Sequence, residues 1–420
     1  MKALVLGAGV VGTSTAYYLA KNGFEVDLVD RQPGAALETS FGNGGVLHTS
    51  ECEPWSRPGM PANILRWLGK DSAPLLLRYS AIPHMWRWGL GFVRACTPER
   101  YRRSTMSNLR LSFYTLRCVQ EIRAELKVDY DLRTRGSMKI YTRPESLEKN
   151  RIECEAMRPY GMTFEVADPK RCVELEPALA PIQSTLAGGL WFPPDETGDC
   201  HKFTTALRQH CESLGVRTHF ETTVRGLERS GDRIAAVQTN KGSMTADAIV
   251  VAMGSFSAPL LRGVGVSVQI YPVKGLSVTV PAGNWDAGPQ MPIIDDTRLF
   301  GLIRLGDRYR CSGSAEITGY DTRPDPARVQ AIVDNVISVF PEFRHCYDPA
   351  TAKPWAGLRP MTPSGNPYLG STGLRNLWIN AGHGHLGWTM SCGSGRAVAD
   401  LLAGRKPEID LTGFTINTRI

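Results

Sequence analysis

The sequence predicts an α/β protein in two parts: a discontinuous domain on a parallel sheet, and a second, mixed α+β domain on an antiparallel-rich sheet. Three observations predict it. Residues 2–30 run strand, glycine-rich turn, helix and strand. A second junction of strand, glycines and helix, "NLWINAGHGHLGW", lies near the other end at 376–388. Between them stand short strand candidates separated by tight turns. Strands from both chain ends are expected to share one sheet, which makes the first domain discontinuous: 1–50, 195–262 and 350–420, with 51–194 and 263–349 forming the second.

The length of 420 residues exceeds one compact core and sets a prior of two or three domains. A hydrophobic fraction of 42% and a charged fraction of 21% suit a folded enzyme rather than a disordered chain. The net charge of +7 is spread without a dense Lys/Arg block, so nucleic acid is not an expected partner. The excess still favours anionic substrates or an anionic membrane surface. Ten scattered cysteines form no C-x-x-C pair and no zinc spacing, which fits free thiols in a reducing compartment and no metal site. Lys2 and the apolar run to Ala20 imitate a secretion signal, but three glycines interrupt it at a meaningful spacing and a second strand follows, so the segment is expected to be structural.

Residues 2–6 are a short buried strand, 13–22 a helix with Ala16, Leu19 and Ala20 at helical spacing, and 25–30 a strand ending on an acid. Residues 51–150 change character, with prolines, tryptophans and a strand candidate at 136–142. Asp199 is placed to cap a helix that puts Phe203, Leu207, Cys211 and Leu214 on one face. Strands follow at 216–224, 233–240 and 246–253, separated by "RSGDR" and "NKGS". The run "DAIVVAMG" is apolar throughout, as in a strand covered on both faces. More strands lead to a helix over 325–339, and the chain ends with a strand at 376–382 and a helix over 388–404.

The opening β-α-β unit carries Gly7-Ala8-Gly9-Val10-Val11-Gly12, and Asp30 ends its second strand. In that context the glycines have separate duties. Gly7 makes the tight turn, Gly9 admits a pyrophosphate against the backbone, and Gly12 lets helix and strand pack. The helix N-terminus then faces the phosphates, and Asp30 accepts from a ribose. This is a Rossmann-like dinucleotide site, with NAD or FAD still open. The C-terminal junction leans toward FAD. A flavin must be held at both ends, and a helix N-terminus rich in glycine (Gly382, Gly384, Gly387, Gly393, Gly395) would stabilise the negative charge that reduction places on the ring.

Seven stretches extend the pattern over nearly the whole chain: "VLGAGVVGTSTAYYLAKNG", "VDRQPGAALETSFGNGG", "PWSRPGMP", "DETGDCHKF", "PVKGLSVTVP", "PWAGLRPMTPSGNPYLG" and "NAGHGHLGWTMSCGSGRAVADLL". Together they resemble the D-amino-acid oxidase superfamily of FAD-dependent oxidoreductases, in its dehydrogenase branch. The resemblance implies that Gly7, Gly9, Val11 and Gly12 hold the pyrophosphate and that Asp30 and Arg31 hold the ribose end. It puts Ser40, Asn43, Gly44 and Gly45 under the flavin and its linker, Val224 at the adenine, Ala252 and Gly254 on the same side, and Gly382 through Thr389 (with His383, Gly384, His385, Leu386, Gly387 and Trp388) over the flavin pyrimidine. Val10, Gln32, Val46, Met253 and Gly357 complete the expected cofactor-binding set. Some members attach FAD through a histidine in this region. Asn43 stands at the matching position, so FAD is expected to be non-covalent. The stretch "FGNGGVLH" also departs from the alanine-rich pattern of the dehydrogenase branch.

The implied reaction is oxidative deamination of a D-amino acid, or a related cyclic or secondary one, with electrons passed to a quinone or other non-oxygen acceptor. Two alternatives stand beside it: a glycine-, sarcosine- or proline-type oxidase releasing hydrogen peroxide, and a non-catalytic FAD-binding assembly protein. A carboxylate clamp calls for the planar fork of an arginine. Arg359 in "AGLRP" is the first choice, also matching the family's arginine, and Arg304 is the second. His48 is either a pocket wall and proton acceptor or a histidine satisfied by its own loop. His383 and His385 would shape the electrostatics of the flavin. The resemblance also places Lys274 and Tyr271 near the active site. Residues 63–95 mix Trp67, Trp86 and Trp88 with Arg66, Lys70, Arg78, Arg87 and Arg94. They either cover the second domain's core or lie in a membrane interface, where a quinone would be met. The expected location is the cytoplasm, with peripheral contact at the inner membrane face left open, as is an oligomer.

Overall fold

The computed structural model describes residues 1–70 and 75–416. Residues 71–74, inside the tryptophan-rich segment, and 417–420 lie outside the described residues. Two large sheets organise the rest. The first has six strands in the order Tyr368–Ser371, Leu377–Ala381, Ala248–Val251, Lys2–Leu6, Glu25–Val29 and Arg217–His219. All neighbours run parallel except the Tyr368–Ser371 pair at one edge. Strands from both chain ends and the middle therefore meet in one sheet. The four residues of Ala248–Val251 are all buried, as their uninterrupted apolar run requires.

Helix Val10–Lys21 covers one face of that sheet and starts within the glycine loop, ahead of position 13. It packs against helix Ser391–Leu402, and the contact depends on glycine. A Cβ on Gly395 would come 2.9 Å from the backbone of Ser14 and Thr15, and one on Gly393 2.6 Å from Thr115 Oγ1. Thr115 belongs to the long helix Pro98–Leu126, whose buried Leu111, Leu116, Val119 and Ile122 join the same core. This helix falls in the 51–194 stretch, yet its buried face packs with the six-stranded sheet's helices.

The second sheet is mostly antiparallel. Its strands follow the order Lys353–Met361, Tyr271–Pro281, Arg308–Ile317, Phe300–Leu305, Ile293–Asp295, Ser137–Tyr141, Gly188–Phe192 and Glu165–Ala167, with Leu75–Leu77 added beside Arg308–Ile317. Helix Pro326–Val339, capped by Asp325, buries Val329, Ile332, Val333 and Val336 on it. The strand Lys353–Met361 pairs here, not with the parallel strands, although it lies in the 350–420 stretch.

Local expectations hold at Asp199, whose side chain accepts from the His201 and Lys202 amides and starts helix Cys200–Ser213. Leu214 departs from the expected face: it ends that helix and is 42% exposed. The single strand expected over 216–224 divides into Arg217–His219 and Val224–Ser230. Between them Glu221 takes a positive φ of 53°, and the Glu221 and Thr222 amides donate to the Gln32 and Asp30 carbonyls. The chain is thereby pulled toward the acid-bearing end of Glu25–Val29.

Candidate active site

The glycine loop is built as its spacing demands. Gly7 has φ +104°, and a Cβ there would meet the Ala252 carbonyl oxygen at 2.5 Å. A Cβ on Gly12 would come within 1.8 Å of the Gly7 oxygen. Gly9 caps helix Val10–Lys21 without a side chain of its own, so the first turn faces the loop. Ser40 Oγ accepts from the Val10 amide at 3.1 Å and ties the next segment to that turn.

Asp30 accepts from the Ala8 amide at 2.7 Å and the Gln32 amide at 2.8 Å. Each oxygen keeps a lone pair for a ribose hydroxyl. Burial raises its carboxyl above the ordinary value, against those two bonds. Arg31 and Gln32 both reach Glu38, at 2.5 and 2.9 Å, and the Arg31 guanidinium lies 4.1 Å from the centre of the Phe256 ring. Glu38 was not foreseen in the sequence.

These residues open into one cavity of about 1410 Å³ that runs between the two sheets. Its wall includes Gly7, Gly9, Val10, Val11, Asp30, Arg31, Gln32 and Ser40 at one end, with Val224, Ala252, Met253 and Gly254 beside them. Further along come Asn43, Gly44, Val46 and His48, then Gly357 and Arg359, then His383, Gly384, His385, Gly387, Trp388 and Thr389. Four expected residues do not line it. Gly12 and Gly45 stand behind the wall as close-packed backbone, Gly382 packs on Thr362 and Ile270, and Leu386 is core. With Gly393 and Gly395 committed to helix packing, Gly384 and Gly387 are the C-terminal glycines at the cavity.

The loop at 41–48 is braced from outside. Asn43 Oδ1 accepts from the Gly45 amide at 2.9 Å, and the Asn43 carbonyl accepts from Arg310 Nη1 at 2.7 Å. Arg310 is buried and also donates to Thr279 Oγ1 at 3.0 Å. Trp355 forms part of the cavity wall. A Cβ on Gly42 would lie 2.1 Å from its ring, and one on Gly357 1.9 Å.

Arg359 sits on Lys353–Met361 with its fork in the cavity wall. Its partners are carbonyls: Ser314 at 3.0 Å and Lys274 at 3.5 Å. Burial lowers its pKa to about 10, partly offset by Glu316, so it is cationic at neutral pH. The neighbouring histidines are neutral there. Burial takes His383 down to about 3 and His385 to about 4, with Arg359 adding to the second. His383 Nε2 is bonded to Ser394 Oγ at 3.0 Å, and His385 stacks on Trp55 with centroids 5.4 Å apart.

His48 meets a buried acid. Its Nδ1 lies 3.3 Å from Asp195 Oδ2 and 3.3 Å from Ser50 Oγ. Beyond it Glu51, Lys139 and Asp296 form an ion chain, with Lys139 Nζ 3.0 Å from Glu51 and 2.5 Å from Asp296. Glu53, also on the wall, is raised to about 7 by burial.

Three expected neighbours point elsewhere. Lys274 pairs with Glu316 at 3.0 Å and is not in the cavity wall. Arg304 lies over Tyr309, 5.6 Å from the ring centre. Tyr271 packs against Trp88. In the tryptophan-rich segment, Trp88 is buried and donates to the Met361 carbonyl at 2.7 Å, while Trp86 is 58% exposed. An apolar branch of the cavity lined by Met60, Ile64, Trp67, Met85, Trp88 and Phe92 runs beneath that segment.

The glycine cradle and the helix N-terminus fit a dinucleotide. Two buried polar atoms on the cavity wall, Asn380 Oδ1 and Trp388 Nε1, have no partner among the described residues and suit a flat heterocycle with donors and acceptors on its edge.

Comparison with known proteins agrees with this geometry. The chain is 44% identical over 418 residues to a D-amino acid dehydrogenase of Paramagnetospirillum magneticum, covering 99% of this chain and 98% of that one. It is 41% identical over 417 residues to a D-amino acid dehydrogenase of Bradyrhizobium diazoefficiens, covering 99% and 98%. Glycine oxidase from Geobacillus kaustophilus shares the fold with a TM-score of 0.77 at 23% identity, covering 100% of this chain and 98% of that one. L-proline dehydrogenase from P. horikoshii does so with a TM-score of 0.78 at 18% identity, covering 99% and 96%. A family match over residues 2–401 takes in every residue of the cavity wall, and the chain belongs to the DAO family, the FAD dependent oxidoreductases, with FAD as its cofactor.

Proposed function

We propose that this enzyme oxidatively deaminates D-amino acids, or close cyclic and secondary amino acids, and passes the electrons to a quinone or another acceptor that is not oxygen. The observation that carries the reading is Arg359: a half-buried guanidinium in the cavity wall whose hydrogen-bond partners are carbonyl oxygens. Such a fork is matched by the carboxylate of an amino acid. Relatives named D-amino acid dehydrogenase at 41–44% identity support the same substrate class.

Bound FAD would supply the two-electron acceptor for the hydride of the substrate α-carbon. The glycine loop and Asp30 would hold its pyrophosphate and ribose, and the 41–46 and 383–389 segments its ring. Arg359 fixes the substrate by its carboxylate, which leaves the α-carbon with a defined face. Neutral His383 and His385 leave Arg359 as the cation beside them, while Lys139 on the same wall is already paired with Glu51 and Asp296, so the carboxylate is directed to Arg359. The substrate nitrogen must be neutral before the hydride leaves, and His48 is a titratable group of the cavity wall suited to take its proton. The imine product hydrolyses in water.

The segments 1–50, 195–262 and 350–420 are our division for holding FAD, and 51–194 and 263–349 for holding substrate, with helix Pro98–Leu126 packed on the former and strand Lys353–Met361, which carries Arg359, paired into the sheet of the latter. Helices Met60–Trp67 and Ile82–Ala95 carry Arg66, Arg87 and Arg94 and no acid, and expose Leu65, Trp86, Leu90 and Val93. That face supports peripheral contact with the cytoplasmic side of an anionic membrane, where a quinone is reached. Among the described residues, no helix is long and apolar enough to cross a membrane.

The test is anaerobic reduction of the holoenzyme by D- and L-amino acids and by N-methyl and cyclic amines. Bleaching of the flavin by D-amino acids is expected. Bleaching by glycine or sarcosine alone, with hydrogen peroxide formed in air, would replace the reading with an oxidase. No bleaching by any of them would leave a binding protein.

A further inference from the structure

Behind His48 lies a buried acid. Asp195 is 0% exposed and 147 positions away in sequence. Its Oδ1 accepts from the Thr49 amide at 2.6 Å and Thr49 Oγ1 at 3.0 Å. Its Oδ2 accepts from Ser50 Oγ at 2.5 Å and Ser137 Oγ at 2.7 Å, and faces His48 Nδ1 at 3.3 Å. Donors from two segments, 48–50 and Ser137, thus converge on one buried carboxylate that sits outside the cavity wall. The His48 amide is held separately, donating to Thr389 Oγ1 at 3.2 Å, so the backbone on which the ring swings is anchored to the C-terminal capping segment.

A carboxylate surrounded by donors only accepts. The His48 nitrogen that faces it is therefore the one that carries the proton, and Nε2 keeps its lone pair. Nε2 has no partner among the described residues, and the ring, with 16% of its side-chain surface accessible, belongs to the cavity wall. The geometry points to Asp195 as the positioning residue of His48: its carboxylate holds the proton on Nδ1 and presents the Nε2 lone pair to the substrate's ammonium group. In the step that follows, one ammonium N–H bond breaks and Nε2–H forms. The positive charge passes to the imidazole, and the substrate nitrogen keeps the electron pair. This rests on the amino acid reading above.

Other charges also face the ring. Glu51 stands on its own segment, Lys139 on strand Ser137–Tyr141 and His385 on the turn Gly384–Leu386. Burial pushes the imidazole down, but the Asp195 bond and the charges of Glu51 and Asp195 outweigh it, against Lys139, and the net direction is up. A base raised above its ordinary value keeps more driving force for taking the ammonium proton.

Two substitutions should move this group in opposite directions. Asp195→Asn removes the charge that stabilises the imidazolium, and Ser50→Ala removes a donor that competes for Oδ2 and so strengthens the carboxylate as an acceptor. In anaerobic stopped-flow reduction of the holoenzyme by a D-amino acid, the ascending limb of the second-order rate against pH is expected to fall by about one unit in Asp195→Asn and to rise in Ser50→Ala. An unmoved limb with a uniformly lower rate would make Asp195 merely structural. Should Asp195→Asn not fold, the upward shift in Ser50→Ala carries the test alone, and its absence overturns the proposal. Nitrogen NMR of the histidine-labelled holoenzyme, with His48→Gln for assignment, needs no turnover: a proton on Nδ1 is expected, and a proton on Nε2 in the neutral ring overturns the dyad. If no amino acid bleaches the flavin while the NMR shows the Nδ1–H form, the substrate reading fails and the dyad's geometry stands.

Discussion

The Arg359 guanidinium lies over the backbone of Gly275, so close that a Cβ there would sit 2.3 Å from its Cζ. Val273 pairs with Arg359 and Gly275 with Gly357 across two antiparallel strands, which puts all four on one face of the sheet. The missing side chain at 275 is what lets the fork lie flat in the cavity wall. Gly275→Ala is expected to keep FAD and raise KM for a D-amino acid about tenfold, the effect of roughly 1.4 kcal/mol. Arg359→Leu removes the charged bonds altogether and should lower kcat/KM by on the order of a hundredfold, again with FAD retained. Steady-state kinetics with an artificial acceptor measure both. An unchanged KM in the two variants would remove the clamp assignment.

The cofactor cradle makes a different prediction. Gly7 combines a positive φ with a 2.5 Å approach to Ala252, and Gly12 would collide with Gly7 itself. Alanine at either position must displace backbone rather than a flexible side chain. Gly7→Ala and Gly12→Ala are expected to purify with little flavin, read as the ratio of visible to ultraviolet absorbance. Gly254→Ala is the control, since its Cβ would meet nothing within 4 Å, although its φ of +52° adds some strain. Full flavin in Gly12→Ala would mean the loop is not the pyrophosphate seat.

That loop was legible because each glycine answers a local backbone demand. The same holds for the Asp199 cap. The parts that escaped the sequence are convergences between distant segments. Asp195 lies in the same "DETGDC" stretch as Asp199, but its meaning comes from His48. Arg310 is one arginine among many until its strand brings it to the Asn43 carbonyl. Strand parity explains two displaced expectations. Lys274 is one residue off the face shared by Val273 and Gly275, so it points away into Glu316. Arg304 follows Ile303, which lines the cavity, and so it turns to Tyr309.

Asn43 has its side-chain oxygen engaged in capping Gly45, and a carboxamide offers no nucleophile to a flavin. FAD is therefore expected to leave with the supernatant when the holoenzyme is precipitated with acid, giving a colourless pellet. Flavin fluorescence retained on the denatured chain in a gel would show a covalent link and require another attachment residue.

Asp27 governs acid stability of the parallel sheet. It is 1% exposed and takes Arg217 Nε at 2.8 Å, His219 Nε2 at 2.8 Å and Lys2 Nζ at 3.1 Å. Burial pushes its carboxyl up, but the bonds from Arg217, His219 and Lys2 outweigh that and hold it well below the usual carboxylate range. The folded-state pKa is thus depressed, so the contribution is fully present above the unfolded value of about 3.9 and is lost as pH falls from there toward the folded value. Asp27→Asn should cost about 2 kcal/mol at neutral pH. The gap between the two proteins in urea unfolding should narrow progressively as pH falls below about 4. A gap that does not narrow would place the effect in packing rather than charge.

The exposed face of helices Met60–Trp67 and Ile82–Ala95 can be separated from the chemistry beneath it. Leu65 is 74% exposed and Trp86 58%, and neither lines the cavity. Trp88, two residues from Trp86, is buried under the same helix and does line it. Replacing Leu65 and Trp86 by serine removes two apolar side chains from the outer face, and exchanging Arg87 for Gln removes a charge beside them. The double variant should sediment less with vesicles containing anionic lipid, by about tenfold in partition coefficient for loss of roughly 1.4 kcal/mol of interfacial burial. Its reduction by a D-amino acid with a water-soluble dye as acceptor should be unchanged, whereas turnover with a quinone embedded in the vesicle should fall in step with sedimentation. Arg87→Gln should act only at low salt, because an exposed charge is screened over about 10 Å at 0.1 M. Equal binding of wild type and double variant to anionic vesicles would assign these helices to covering the apolar branch of the cavity, and quinone turnover would then need another route to the flavin.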